Sequence, residues 1–351
     1  MRALVLGDAR QPHFHRWGAA LRAAGVEVEG LTLQDPHLAP AFPLHRLEAG
    51  GPAFLRTRRA LPAALAHAQR WRPDLLTALF VPDYGLLGSW LAAKMSPRPA
   101  LWVAALGSDV LRNAWRTPLH WVRARGVLAR ADAVMVDAAM LARAVRALGV
   151  PERRVVRVDW VPDLARFPFR PDRPEGRARM VSTRQLAPVY DVATLVRAAE
   201  LLAQRRADFE ITVVGDGPQR AALERRAAPL RDRIRFAGRL DAAEVAGALG
   251  SAGIYVSTSR SDSTSVSLLE AMACGCLPVV SDIEGNREWV TEGSSGLLFA
   301  PGDASGLARQ LARAMDDPLL RERVAVYNRR RLESLPGFEE RVSRLVAGLT
   351  G

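Results

Sequence analysis

The chain is short of cysteine, lysine, aromatic residues and long apolar runs, and each shortage closes off a class of protein. Its two cysteines, Cys274 and Cys276, cannot build a disulfide framework, and a single C-x-C pair with no second pair cannot complete a zinc site. No metal ligand set is expected. No unbroken run of about 18 apolar residues occurs, so no membrane span is expected. The opening MRALVLGDAR is too short in its apolar part for a signal peptide and reads as a first buried strand. Aromatics make up only 6% of the chain. With no zinc-finger spacing, no RNP-type aromatic strand and no basic tail, nucleic acid is not expected as a partner. The reading is a cytoplasmic globular chain.

Lys94 is the sole lysine, so 48 of the 49 basic residues are arginine, and the formal net charge is +12. The charge is uneven. Up to Asp163 there are 22 basic and 13 acidic residues, and beyond it 27 and 24. The first half therefore carries most of the field and suits an anionic surface such as phospholipid headgroups or a lipid pyrophosphate. GC-rich coding also favours arginine, so charge alone names no partner.

A length of 351 residues suggests two domains. Short apolar runs alternate with helical periods. Strands are expected at 3–6, 26–33, 75–80, 100–106 and 133–136, with helices at 17–24, 53–70, 85–95, 118–129 and 138–148. FPFRPDRP at 167–174 reads as a linker. The rhythm then restarts, with strands at 179–182, 210–214, 234–236, 254–257 and 277–281. Helices are expected at 192–204, 219–227, 242–249, 266–273, 304–315, 318–332 and 338–349. Strand–helix alternation implies parallel pairing and doubly wound α/β domains. The expected division is a Rossmann-like domain at 1–165, a linker at 166–178, a second Rossmann-like domain at 179–332, and a C-terminal helix at 333–351 that returns to the first domain.

The densest chemistry lies in 257–303. A strand ends near Ser257, a loop rich in serine and threonine follows, and a helix opens near Val266. Backbone N–H groups of Ser265, Val266 and Ser267 at that helix end suit a phosphate. Asp262 precedes the helix and Glu270 lies on its second turn, a pair able to bracket a nucleotide-sugar, since a carboxylate accepts both hydrogen bonds of a ribose diol. Two structural readings stand beside this one. Ser267 and Glu270 have the spacing of a capping box, and Asp262 suits an Asx-turn.

The segment resembles the donor-binding motif of retaining glycosyltransferases of family 4. The matching pieces are Asp262 and Glu270, AMACGCLPVV at 271–280, GNRE at 285–288 and GLLFAPGD at 296–303. Further pieces in the family's order are VSTRQLAPVYDVATLVRAAELL at 181–202, ITVVGDGPQR at 211–220 and IRFAGRL at 234–240. VDWVPDLARFPF at 158–169 and, more loosely, LGSDV at 106–110 also match. The resemblance implies the GT-B fold, two doubly wound Rossmann-like domains facing across a cleft, with 1–165 binding the acceptor and 179–332 the nucleotide-sugar donor. It implies transfer of a sugar, with retention, from a nucleotide-sugar donor to an unknown acceptor, often lipid-linked or of the cell envelope. By role, Glu270 would hold the donor ribose and Asp262 the hydroxyls of the transferred sugar. Arg184 would pair with the diphosphate, the amides at Ser265 and Val266 would complete the phosphate cradle, and Arg239 would lie in the segment that reads the base. The family usually has Glu at the Asp262 position. Many members carry a Lys about five residues after the Arg184 position, where this chain has none, so Arg184 would act alone or with Arg260. Many carry a His where this chain has Leu106.

No D-x-D pair occurs, and arginines are available, so no cofactor and no metal are expected. Asp109 is a candidate catalytic carboxylate or a helix N-cap. His13 and His15, after the first strand, are either acceptor-side groups or hydrogen-bonded loop residues. A basic stretch holding Trp115, Trp121, Arg112, Arg116, Arg123 and Arg125 suits peripheral contact with the inner face of an anionic membrane, with a solvated arginine face as the alternative. The alternatives to transfer are a GT-B sugar-nucleotide epimerase, or a degenerate nucleotide- or membrane-binding member without turnover.

Overall fold

The computed structural model describes residues 1–36, 40–50, 53–170 and 176–350. The chain divides into two compact units, Met1–Asp159 with Phe338–Gly351, and Trp160–Gly337. The central part of the linker expected at 166–178, residues 171–175, lies outside the described residues.

The first unit carries seven parallel strands: β1 (Arg2–Leu6), β2 (Glu27–Thr32), β3 (Leu44–Arg46), β4 (Leu75–Leu79), β5 (Ala100–Ala104), β6 (Ala133–Val136) and β7 (Val155–Arg157). Their order is β3-β2-β1-β4-β5-β6-β7. β4 is buried along its whole length and β1 along all but its first residue, as expected for strands covered by helices on both faces. Their sequences, ALVL and LLTAL, are unbroken rather than alternating for that reason. The final helix, Phe338–Thr350, also belongs to this unit. Phe338 sets its ring edge against Trp17, 5.4 Å between centroids, beneath the Arg16 guanidinium, and Arg341 bridges Asp159 at 3.0 Å.

The second unit has six parallel strands: β8 (Ala178–Thr183), β9 (Phe209–Val214), β10 (Ile234–Gly238), β11 (Ile254–Ser257), β12 (Leu277–Ser281) and β13 (Leu297–Phe299). Their order is β10-β9-β8-β11-β12-β13. Helix starts follow side-chain chemistry. Asp241 and Glu244 form a reciprocal capping box on Ala242–Ser251, Asp303 caps Ala304–Asp316 through the Gly306 amide at 2.8 Å, and Asp317 caps Pro318–Glu333 through the Leu320 amide at 2.8 Å. Both cysteines are fully buried, and the Cys276 thiol donates to the carbonyls of Leu249 and Ala252. They serve the core.

Candidate functional site

In the second sheet the order runs one way from β8 to β10 and the other way from β11 to β13. Loops leaving the carboxyl ends of β8 and β11 therefore diverge, and this switch point is where doubly wound sheets receive ligands. Arg184 follows β8 directly, and the polar loop of residues 258–265 follows β11.

Arg184 joins the two loops. Its Nη1 donates to Ser265 Oγ at 2.7 Å and Ser267 Oγ at 2.9 Å, and its Nη2 donates to Asp262. Its guanidinium lies over the Tyr190 ring, 4.3 Å from the centroid. Ser267 also pairs with the Tyr255 hydroxyl at 2.8 Å. The arginine is 9% exposed and the Asp262 side chain 19%. Burial works against the guanidinium's charge, but the Asp262 carboxylate and the phenols of Tyr255 and Tyr190 outweigh it and hold the pKa above its usual value. The site thus contains a permanently charged fork in low-dielectric surroundings, where its field is screened least. Three of its five N–H donors are engaged by these three side chains.

The helix Val266–Ala273 begins at the same place. Ser265 is its N-cap, accepting from the Leu268 amide at 3.3 Å. The capping-box reading of Ser267 and Glu270 is corrected here. Ser267 lies inside the helix with its hydroxyl committed to Arg184 and Tyr255, so Glu270 is not in capping register. The amides of Val266 and Ser267 precede the first intrahelical bond, adding a positive helix end to the charge of Arg184.

Glycine motifs hold these loops by close approach. A Cβ on Gly215, whose φ is +136°, would strike the Arg184 carbonyl, so the GDGP turn serves as a clamp on that loop. Gly285 lies against the carbonyls of Asp262 and Ser263 in the same way. Asn286 donates to the Ser281 carbonyl at 2.7 Å, Ser281 to the Ser259 carbonyl at 2.5 Å, and Trp289 Nε1 to Thr264 Oγ1 at 3.3 Å. GNRE is thus a brace behind the loop that carries Asp262.

Two family models cover most of the chain: Glycosyl transferases group 1 over residues 165–331, and Glycosyl transferase 4-like domain over 11–159. The chain belongs to the family 4 glycosyltransferases. It is 34% identical to a phosphatidyl-myo-inositol mannosyltransferase of Mycolicibacterium smegmatis over 42% of this chain and 38% of that protein. It is 35% identical to a 2-deoxystreptamine glucosyltransferase of Streptomyces kanamyceticus over 35% of this chain and 32% of that one. The matched region thus spans well under half the length of these curated relatives. In fold it superposes on a sucrose-phosphate synthase from Thermosynechococcus elongatus with a TM-score of 0.82 at 21% identity, covering 100% and 99% of the two chains. It superposes equally, at 16% identity and the same coverage, on the Anabaena HepE protein in complex with UDP-glucose.

The other sequence candidates of this family 4 protein fall in different places. Glu270 stands half-buried on the helix that Ser265 caps, and Val266 is that helix's half-buried first residue. Arg239 is exposed at the end of β10, two strands from β8, and so about 10 Å to the side of Arg184. Arg260 is held by Asp191, Nε at 2.8 Å and Nη2 at 2.7 Å, while its amide donates to the Val189 carbonyl. A cation therefore adjoins the stretch where many family members carry lysine, with its charge partly met by Asp191.

Asp109 is a correction. It lies in the first unit and is fully buried, accepting from the amides of Val81, Leu106 and Val110 at 3.1 Å each. Burial raises its pKa to about 6 against the pull of those amides. It is neither an open catalytic carboxylate nor the N-cap, which is Gly107. It ties the loops after β4 and β5 together. His13 and His15 stand in the first turn of the helix Pro12–Ala23 and not in a loop, and His15 donates through Nε2 to the Ala9 carbonyl at 2.7 Å. In the basic stretch, Trp121 is half-buried on the first core under Arg125. Its large apolar side chains that reach solvent are Trp115, Leu119 and Val122, 50%, 65% and 58% exposed. Leu119 and Val122 were not singled out from sequence, although their three-residue spacing puts them on one helical face. Tyr190, Tyr255 and the hydroxyl role of Ser267, which sequence marked only for its amide and its capping spacing, were missed as well. Each reads locally as core or turn, and only the fold brings them to Arg184.

Proposed function

We propose that the chain is a retaining glycosyltransferase whose nucleotide-sugar donor binds in the second unit, at the carboxyl ends of β8 and β11. The observation carrying this reading is the buried Arg184 fork bound to Asp262 and to the N-cap serine of the helix Val266–Ala273. A guanidinium and a helix N-terminus together supply the positive charge that a departing nucleoside diphosphate needs, ready-oriented in a dry setting. That supports neutralisation of the leaving group without a metal. Arg184 uses its remaining donors for the diphosphate and steadies Asp262, which meets hydroxyls of the transferred sugar, while Glu270 takes the ribose. Asp262 is already ion-paired, which lowers its nucleophilicity and favours same-face departure and attack over a covalent intermediate. The two curated relatives named above are a mannosyltransferase and a glucosyltransferase, which favours transfer over epimerisation.

We further propose an acceptor presented at an anionic membrane. Exposed Trp115, Leu119 and Val122 stand among Arg112, Arg116 and Arg125, an apolar patch within a basic one. One relative named above is a mannosyltransferase of a phosphatidylinositol. Among the described residues no helix is long and apolar enough to cross a membrane, so such contact would be peripheral.

The test is thermal unfolding with UDP, GDP, ADP and CMP in the presence of a chelator. A ligand at about 100 times its dissociation constant adds roughly 2.7 kcal/mol, a shift of several degrees. One selective shift, lost in Glu270→Ala, is the expected result and names the base to test with sugars. No shift from any nucleotide overturns the donor site.

A further inference from the structure

Among the described residues, one group of three potential metal ligands comes together: Glu29, His45 and His67. The fold makes it from three elements. Glu29 and Leu31 share a face of β2, and His45 on β3 is the register partner of Leu31, so His45 lies on the same face as Glu29. The helix Ala53–Trp71 brings His67 to that face. Glu29 Oε2 is 2.8 Å from His67 Nε2 and 3.2 Å from His45 Nε2, and all the ligand atoms lie within 4.8 Å of one another. The two imidazole centroids are 4.3 Å apart.

We propose that Glu29, His45 and His67 form a binding site for a zinc-class divalent cation. With metal–ligand bonds of about 2.0–2.1 Å, neighbouring ligand atoms on a tetrahedron stand about 3.3 Å apart. The 2.8 and 3.2 Å separations from Glu29 lie within about half an ångström of that, and the two imidazole nitrogens, which stand within 4.8 Å of each other, would close on the cation through the half-exposed His45. Two imidazoles and one carboxylate are a donor set that zinc, cobalt or nickel accepts and that magnesium or calcium, which prefer all-oxygen shells, does not. The site is buried on one side and open on the other. The side chains of His67 and Glu29 are 11% and 18% exposed, that of His45 45%. A cation can enter past His45 and keep water as its fourth ligand. It would tie edge strand β3 to β2 and to the helix. The opposing influence is Arg70, whose positive charge acts on His67. The site lies in the first unit and is independent of the donor-site reading. Sequence gave no sign of it, because the ligands sit at positions 29, 45 and 67 with no local spacing to join them.

The test is titration of the full chain, untagged and freed of metal by chelation and dialysis, with cobalt(II) followed by its visible absorption, and then displacement by zinc. The expected result is one equivalent bound at micromolar or tighter affinity, with a four-coordinate spectrum and a raised unfolding temperature with zinc. His45→Ala and Glu29→Gln should each weaken binding about 10–100-fold, and His45→Ala, being largely exposed, should leave the metal-free unfolding temperature near that of the parent. His120→Ala should bind as the parent does. Binding weaker than millimolar, or one equivalent that persists unchanged in His45→Ala, overturns the site.

Discussion

The two units solve the same topological problem with one carboxylate each, and the solutions are opposite. In the first, Asp109 follows β5 and turns inward, where three backbone amides consume it. In the second, Asp262 follows β11 and meets a charged side chain, Arg184, from the adjoining loop. Both stand just past strand ends in parallel sheets, and both read as site candidates in sequence. The difference lies in what waits at the other side. Amides fix a loop and leave nothing to donate, whereas a guanidinium and a helix N-terminus retain donors for a ligand. A carboxylate at a strand end is thus a structural tie or part of a site according to its partner.

The largest expected effect separates the two directly. Arg184→Ala should lower turnover by 10²–10³-fold, the usual loss when one preorganised donor is removed from a developing charge. Asp262→Asn should fall almost as far while unfolding close to the parent, because the amide oxygen still accepts from Arg184. Asp109→Asn should do the reverse. Initial rates and urea unfolding on the three variants decide it. If Asp109→Asn abolishes turnover in a normally folded protein, the contrast between the units is broken.

The next effect is a pH dependence. The folded pKa of Asp109, about 6, lies above its ordinary 3.8. The folded state therefore binds the proton more tightly than the unfolded one. Its stabilising contribution is complete below pH 3.8 and is lost as pH rises through 6. The difference is worth about 3 kcal/mol. The unfolding free energy of Asp109→Asn, measured against the parent from pH 4 to 7.5, should show that dependence removed. Parallel curves for the two proteins would mean that Asp109 does not titrate in this window.

Much of this architecture was legible. β6, β11 and β12 and the helix Val266–Ala273 fall on their expected residues, because continuous apolar runs closed by aspartate, glycine or serine leave little freedom. The strands missed were β3, β7 and β13, each three residues long, too short for a period and defined only by pairing in register. The site divides similarly. Asp262 and Ser265 in the loop after β11, and Arg184 in the loop after β8, stood out as candidates because each loop lies within a long motif. Tyr255 and Tyr190 were not, since a buried tyrosine in IYVS reads as core until its hydroxyl is seen on Ser267, itself marked in sequence for its amide and not for the hydroxyl that holds Arg184. Asp109 misled because a lone carboxylate carries no local sign of which way it points.

A smaller effect tests the brace. Gly285→Ala places a methyl against the carbonyls of Asp262 and Ser263, whose backbone must give way. About a tenfold loss of turnover is expected, with stability reduced by about 1–3 kcal/mol, the usual cost of overpacking. The half-buried helical Gly126, where a Cβ would meet only the end of Arg130 at 3.5 Å, is the control, and alanine there should be neutral or slightly stabilising. Equal effects at the two glycines would remove the brace from the account of the site.

The smallest effect asks whether the first unit contributes a surface. Leu119 and Val122 stand exposed on one face of the helix Pro118–Arg130 beside Trp115, with arginines around them. In water such residues contribute little to folding, so Leu119→Asp with Val122→Asp should leave the unfolding temperature nearly unchanged. At an anionic bilayer the same pair buries its apolar area, and each added carboxylate opposes the negative surface. Cosedimentation with vesicles containing anionic lipid should fall about tenfold for the double variant, and the parent's binding should weaken steeply with salt. If the double variant binds as the parent does, the arginines act alone and the apolar patch belongs to some other contact. If neither binds, the basic first half is a solvated surface, and the contrast between the units becomes one of a working second unit against a first whose carboxylate only ties its loops.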